Sequence, residues 1–199
     1  MSSPRHIEYW NPWSPAELAR RLQGIAAPWY VAGGWALDLW HGGATRTHKD
    51  LEFVVLRDDL PVFLRALSDL AMYTAHDGIL TPLPHGRLPE PHIFQVWCGD
   101  RTASCWRVDM MIENGTPDRW VYKRDAAITC PRGDAIRRSP DGIPYLGPAA
   151  VLLFKAKYRH EKDDLDFANA LPRLTPADRA RLKDWLAATH PGHEWSKAL

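Results

Sequence analysis

The chain has 199 residues, enough for one domain or two small halves sharing a core. Hydrophobic residues make up 45% and charged residues 25%, which argues against a disordered or fibrous chain. Lys plus Arg total 25 against 24 Asp plus Glu, and a net charge of +1 gives no electrostatic reason to expect broad nucleic-acid or membrane-surface binding. No apolar run approaches the roughly 20 residues a bilayer span requires. The polar start Met1-Ser2-Ser3-Pro4-Arg5-His6 predicts no signal peptide, hence a cytoplasmic protein. Cys98, Cys105 and Cys130 lack Cys-x-x-Cys spacing, so free thiols are expected rather than a disulfide or a structural zinc site.

In chain order, Ser14-Pro15-Ala16-Glu17 reads as a capping box, with Leu18, Leu22 and Ile25 recurring at helical spacing. Trp29–Ala32 predicts a short buried strand, broken by Gly33-Gly34, and a helix runs from Trp35 to His41. Asp50–Leu56 is the next strand, with Leu51, Phe53 and Val55 on one face and Asp50, Glu52 and Val54 on the other. A helix opens at Asp59-Leu60-Pro61, and residues 77–92, rich in Gly, Pro and His, predict a loop or irregular hairpin. Ile93–Cys98 and Trp106–Ile112 read as strands joined by a turn at Gly99-Asp100, with a further short strand at 120–122. Helices follow over 149–159 and 163–171 and from Thr175-Pro176 onward. The reading is an α/β (α+β) catalytic region, residues 1–147, with a short mixed sheet flanked by helices, and a helical bundle over 148–199 that closes the cleft.

The chemistry concentrates in two places. A Gly33-Gly34 turn at a strand-to-helix junction can bring backbone N–H groups close to a phosphate, because no Cβ intervenes. Sixteen residues beyond Gly34, Asp50 and Glu52 alternate along one strand, about 7 Å apart on a single face, a spacing suited to a hard divalent cation such as Mg²⁺. Alternating acids on a solvated strand are common, but this strand is otherwise apolar, and two carboxylates there are costly unless they hold a cation or face solvent. Asp109 interrupts the apolar run 106–112 and joins the same face if the two strands pair; it would serve as a third metal ligand or as the base for an attacking hydroxyl. The plainer alternative is a solvent-facing Asp on an edge strand. Glu113 competes from the strand end, on the opposite or a frayed face. Lys155, Arg159 and Lys162 share one face if their helix continues that far, giving a cationic stripe for a triphosphate or an ordinary solvated face with Asp163 or Asp166 as partners. His190 and His193 flank a Pro-Gly turn and fit a packed tail better than a metal site; His85 and His92 lie in the Pro-rich loop, and core packing is the default for Trp35, Trp40, Trp97 and Trp106.

These residues resemble the nucleotidyltransferase superfamily of the DNA polymerase β type. The string Gly33-Gly34-Trp35-Ala36-Leu37-Asp38, followed by Arg46-Thr47-His48-Lys49-Asp50-Leu51-Glu52, is similar to the aminoglycoside and lincosamide nucleotidyltransferases. The segments Leu153–Lys157 and Lys162–Phe167 also look like that group. The spacer before Asp50 is slightly longer than the general superfamily pattern, as in the antibiotic-modifying branch, and Glu52 stands where Asp is commoner. The resemblance implies a nucleotidyltransferase fold in which Gly33 and Gly34 cradle the triphosphate and Asp50 and Glu52 bind Mg²⁺. Asp109 matches the third carboxylate, and Arg46, His48 and Lys155 lie at the nucleotide.

The expected activity is Mg²⁺-dependent transfer of a nucleoside monophosphate, AMP from ATP, to a hydroxyl of a small molecule, an aminoglycoside or a lincosamide among the candidates. The expected partners are an NTP and that acceptor, with no membrane. The rivals are a toxin-type nucleotidyltransferase acting on tRNA, against which the net charge of +1 argues, and a catalytically silent nucleotide-binding relative.

Overall fold

The computed structural model describes residues 9–199; the expectation that the polar start over residues 1–6 is no signal peptide lies outside them. The chain divides into two compact units. One comprises the described residues up to Val31 together with His48–Pro117, the other Ala32–Thr47 and Asp118–Leu199. Among the described residues no helix is long and apolar enough to cross a membrane.

In the first unit, helix α1 (Pro15–Arg21) opens on the expected capping box, Ser14 Oγ accepting from the Glu17 backbone and Glu17 accepting from the Ser14 N–H at 2.7 Å. The sheet is built from β1 (Trp29–Val31), β2 (Glu52–Leu56), β3 (Ala71–His76), β4 (Ile79–Pro82), β5 (Gln95–Asp100) and β6 (Cys105–Glu113), in the order β4-β3-β5-β6-β2-β1. Only β2 and β6 run parallel among these neighbours, so the sheet is mixed, as expected. The fully buried Phe53 ring meets Trp29 and, from helix α3 (Leu60–Ala66), Phe63. The apolar face of β2 is therefore fixed against α3, which turns Glu52 to the other face.

Two expectations need correcting here. The stretch before the Pro-rich loop is a regular hairpin, β3–β4, turning at Asp77 and Gly78, both at positive φ. Its strand β3 is half-buried along most of its length and shows no apolar alternation to read. The β5–β6 turn lies at 101–104 rather than at Gly99-Asp100. Gly99 stays within β5 because a Cβ there would meet the Trp106 ring at 3.0 Å, and Asp100 accepts from the backbone of Thr102 and Ala103 to start the turn. Beside it, Trp10, Trp97, Trp106 and Tyr73 pack ring against ring, core work as expected for Trp97 and Trp106.

The second unit holds α2 (Gly33–His41), the antiparallel pair β7 (Arg119–Val121) and β8 (Thr129–Pro131), α4 (Arg132–Ala135), the hairpin β9 (Ile136–Arg138) and β10 (Pro144–Leu146), then α5 (Pro148–Ala156), α6 (Glu161–Ala170) and α7 (Pro176–Thr189). The elements between 129 and 146 escaped the sequence reading because strands of three residues carry too little periodicity. Trp120, buried to 1%, packs on Phe154 and Trp185. The carboxy-terminal tail is packed, His193 accepting from the Trp195 N–H while the Trp195 ring stacks on Phe167. All three cysteines are free and buried.

Candidate active site

The acidic candidates all belong to the first unit. Glu52 opens β2, and its register partner in the parallel strand β6 is Asp109. The Asp109 N–H donates to the Leu51 carbonyl at 2.8 Å, continuing the ladder back toward the exposed Asp50. Register partners share a face, so Glu52 and Asp109 stand side by side. Asp109 is buried to 3% exposure on an interior strand between β2 and β5, which removes the alternative of a solvent-facing residue on an edge. Its Oδ2 accepts from the Gln95 amide, and its Oδ1 is buried without a hydrogen-bond partner. Burial above all, then the charge of Glu52 and, less, that of Asp50, hold the Asp109 carboxyl well above the usual carboxylate range. The Gln95 amide opposes the shift, and so does the Trp97 indole, although its N–H has no partner in good hydrogen-bonding geometry. Asp109 thus senses the charges of both Glu52 and Asp50. His48, half-buried, lies two residues before Asp50.

Glu113 corrects a second expectation. Four residues beyond Asp109 on a regular strand, it shares Asp109's face rather than the opposite one, and it is ordered rather than frayed: 4% exposed, accepting from the Tyr30 hydroxyl at 2.8 Å.

The second unit holds the remaining candidates. Helix α2 begins at Gly33, whose φ of +61 favours glycine, and no side chain caps its first turn. Gly34 follows within that turn. Asp38, on α2, accepts from the Thr45 backbone N–H at 2.9 Å and from its hydroxyl at 2.6 Å. Arg46 grips Asp166 of α6 with two N–H groups, at 2.9 and 3.0 Å. Lys155 Nζ lies 2.8 Å from both Asp163 and Asp166. Burial would raise the Asp166 carboxyl, but its hydrogen bonds from Arg46 and Lys155 outweigh that and hold it below the ordinary range. The expected cationic stripe does not form: α5 stops at Ala156, Arg159 adopts a φ of +44, and Lys162 belongs to α6.

All three acidic groups offer hard oxygen donors, the chemistry Mg²⁺ prefers. Among the described residues no three His, Cys, Asp or Glu side chains form a ready-made metal cage. That is compatible with Mg²⁺, which is commonly held by one or two carboxylates together with substrate phosphates and water. The unpartnered Oδ1 of Asp109 and the like charges of Glu52 and Asp50 acting on that carboxyl fit a cation beside it. Sequence reasoning missed Gln95 as the partner of Asp109 and Asp166 as the partner of Arg46, although Asp163 and Asp166 were the expected partners of Lys155 should its helix face be an ordinary one. Period two from Trp97 puts Gln95 on Asp109's face once the strand pairing is known, whereas nothing local to Arg46 announces a partner 120 residues away.

Residues 16–82 match the family profile described as aminoglycoside-2''-adenylyltransferase. The matched segment contains Gly33, Gly34, Arg46, His48, Asp50 and Glu52 but neither Asp109 nor Lys155. No curated protein matches the chain in sequence. Among solved structures, the chain is similar to ANT(2'')-Ia in complex with adenylyl-2''-tobramycin, with a TM-score of 0.58 at 13% identity over 87% of this chain and 95% of that one. It is similar also to the lincosamide antibiotic adenylyltransferase LnuA bound to lincomycin, with a TM-score of 0.56 at 16% identity over 81% and 96% of the two chains. The solution structure of ANT(2'')-Ia gives 0.54 at 15% identity, covering 87% of each. The structural likeness establishes that the chain shares the fold of these adenylyltransferase structures, and the family match is confined to residues 16–82.

Proposed function

We propose that the protein transfers AMP from ATP to a hydroxyl of a small-molecule acceptor of the aminoglycoside or lincosamide type. The observation that carries this reading is the parallel register of Glu52 with Asp109, which sets an acid from each of two strands side by side with Asp50 close enough for its charge to be felt. The matched family and the antibiotics bound to the similar structures support the acceptor class.

In the proposed reaction the acceptor hydroxyl oxygen attacks the α-phosphorus of ATP. The new O–P bond forms as the bond from that phosphorus to the oxygen bridging to the β-phosphate breaks, and pyrophosphate leaves. Asp50, Glu52 and Asp109 are the residues that would hold Mg²⁺, which when bound supplies charge neutralisation at the phosphates. Oδ1 of Asp109, the oxygen that has no partner, is the atom that would complete that metal site or take the hydroxyl proton. Gly33 and Gly34 offer backbone N–H groups to the phosphates at the start of α2, with His48 close in sequence to the carboxylates. Arg46 and Lys155 support the nucleotide from the Asp163–Asp166 cluster that holds them. Catalysis of this kind is mostly positioning and charge neutralisation.

The test incubates the purified protein with Mg²⁺, each NTP and separate pools of aminoglycosides, lincosamides and tRNA, and follows acceptor mass. An added adenylate on an antibiotic, absent with Asp50→Asn, is the expected result. A mass shift confined to tRNA, or none in any pool, overturns the reading.

A further inference from the structure

We propose that Gln95 is a positioning residue of this site: its amide holds Oδ2 of Asp109 and thereby makes Oδ1 the oxygen that works. The inference rests on the nucleotidyl-transfer reading and goes beyond it by naming the group that orients the third carboxylate.

The argument begins with strand pairing. Trp97 is the register partner of Asp109 across β5–β6, and Gln95 lies two residues before it, so both project to Asp109's face. The Gln95 Nε2 group donates to Oδ2 of Asp109. The amide presents its nitrogen, the end from which a carboxyl oxygen accepts. Oδ1, equally buried, has no hydrogen-bond partner. One oxygen is thus occupied and the other left for a cation or a proton, and rotation of the carboxylate about its last bond would break the Gln95 contact.

The chemistry of the holder matters as well. A Lys or Arg in place of Gln95 would fix the same oxygen but cancel a charge that Asp50, Glu52 and Asp109 need in order to attract a cation. An amide orients the carboxylate without neutralising it. Groups that orient a metal-binding carboxylate from behind typically change metal affinity or activity by roughly 10–100-fold when removed.

The full-length protein is titrated with MnCl₂ and read by electron paramagnetic resonance, and pyrophosphate release from ATP is measured with pooled aminoglycosides and lincosamides. Gln95→Met, close in volume and lacking the donor, is expected to weaken Mn²⁺ binding about 10-fold and to lower kcat about 10-fold or more with KM for ATP unchanged. Gln95→Asn keeps the amide on a shorter arm and is expected to lose less on both readouts; it provides the comparison should the Met variant not fold. Mn²⁺ affinity and kcat within about twofold of wild type in a folded variant, or losses confined to KM for ATP, overturn the role of Gln95 alone. A wild-type protein that neither binds Mn²⁺ nor releases pyrophosphate overturns the nucleotidyl-transfer reading, and this inference with it.

Discussion

The carboxylates of the first unit and the ion cluster of the second are built from the same kinds of side chain and reach opposite electrostatic ends. Around Asp166, two buried carboxylates meet two cations, Arg46 and Lys155, and the charges balance among themselves. Around Asp109, burial and the neighbouring charges of Glu52 and Asp50 all oppose ionisation, and only neutral donors offset them. The first arrangement spends its charges on structure. The second sets the buried Asp109 carboxyl beside like charges, an imbalance at that residue that opposes its charged form unless something outside the chain completes it. A site that handles a cation and phosphates is expected where that imbalance persists, so the contrast separates residues that hold the molecule together from residues that work.

The largest effect should come from removing the imbalance. Asp109→Asn is expected to reduce adenylate transfer by about a hundredfold to ten-thousandfold, read as kcat with the acceptor found in the mass screen. The same substitution should leave the fold at least as stable, because the amide carries no charge to bury. The pH dependence follows from the direction of the shift. Asp109 binds its proton more tightly in the folded chain than in the unfolded one, so it favours folding at low pH. That contribution is lost as pH rises from the ordinary value of 3.8 through the raised folded value. Urea unfolding across pH should show the decline in wild type and a flatter curve in Asp109→Asn. A steeper decline in the variant would remove Asp109 from the account.

The balanced cluster should behave in the opposite sense. Asp166→Ala leaves the half-buried Arg46 without its carboxylate and Lys155 with Asp163 alone, and is expected to cost about 3 kcal/mol in denaturant unfolding. Because the folded chain holds the Asp166 carboxyl below its ordinary value, its contribution is present above that value and is lost as pH falls through the lowered one. The two clusters therefore pull stability in opposite directions with pH. A stability profile for Asp166→Ala that parallels wild type through the acid range would show that the cluster contributes nothing to folding.

How much of this was legible in the sequence follows from how local each signal is. Gly33-Gly34, Asp50 and Glu52 stand in one short segment, and their residue types alone suggest phosphate and cation chemistry. Asp109 could be placed only conditionally, since its membership of the group depends on β6 pairing with β2, a contact between strands more than fifty residues apart. The cationic stripe failed for a similar reason. Helical spacing was extended past Ala156, but Lys155 is drawn to Asp163 and Asp166 on the next helix, and the chain turns at Arg159 in a left-handed conformation. The hairpin β9–β10 and the strand β3 went unread because short or half-buried strands leave no alternation to detect. What sequence patterns conveyed here was therefore the identity of the chemical groups and the helix starts. What they withheld was the partners that come from distant parts of the chain, such as Gln95 for Asp109 and Asp166 for Arg46.

The smallest effect belongs to the most legible feature. Ser14 and Glu17 satisfy each other's backbone N–H groups at the start of α1, through contacts of 3.2 Å from Glu17 N to Ser14 Oγ and 2.7 Å from Ser14 N to Glu17 Oε2. Both side chains reach solvent, so water can replace part of what either one supplies. Ser14→Ala is expected to cost about 1 kcal/mol in denaturant unfolding and to leave adenylate transfer unchanged. The Ser14 hydroxyl and Glu17 carboxylate also bind each other, at 2.9 Å, so adding Glu17→Ala to Ser14→Ala should cost less than Glu17→Ala does alone. The double variant should then fall short of the sum of the two single losses, as residues sharing one network do. Full additivity would mean that the two caps act independently.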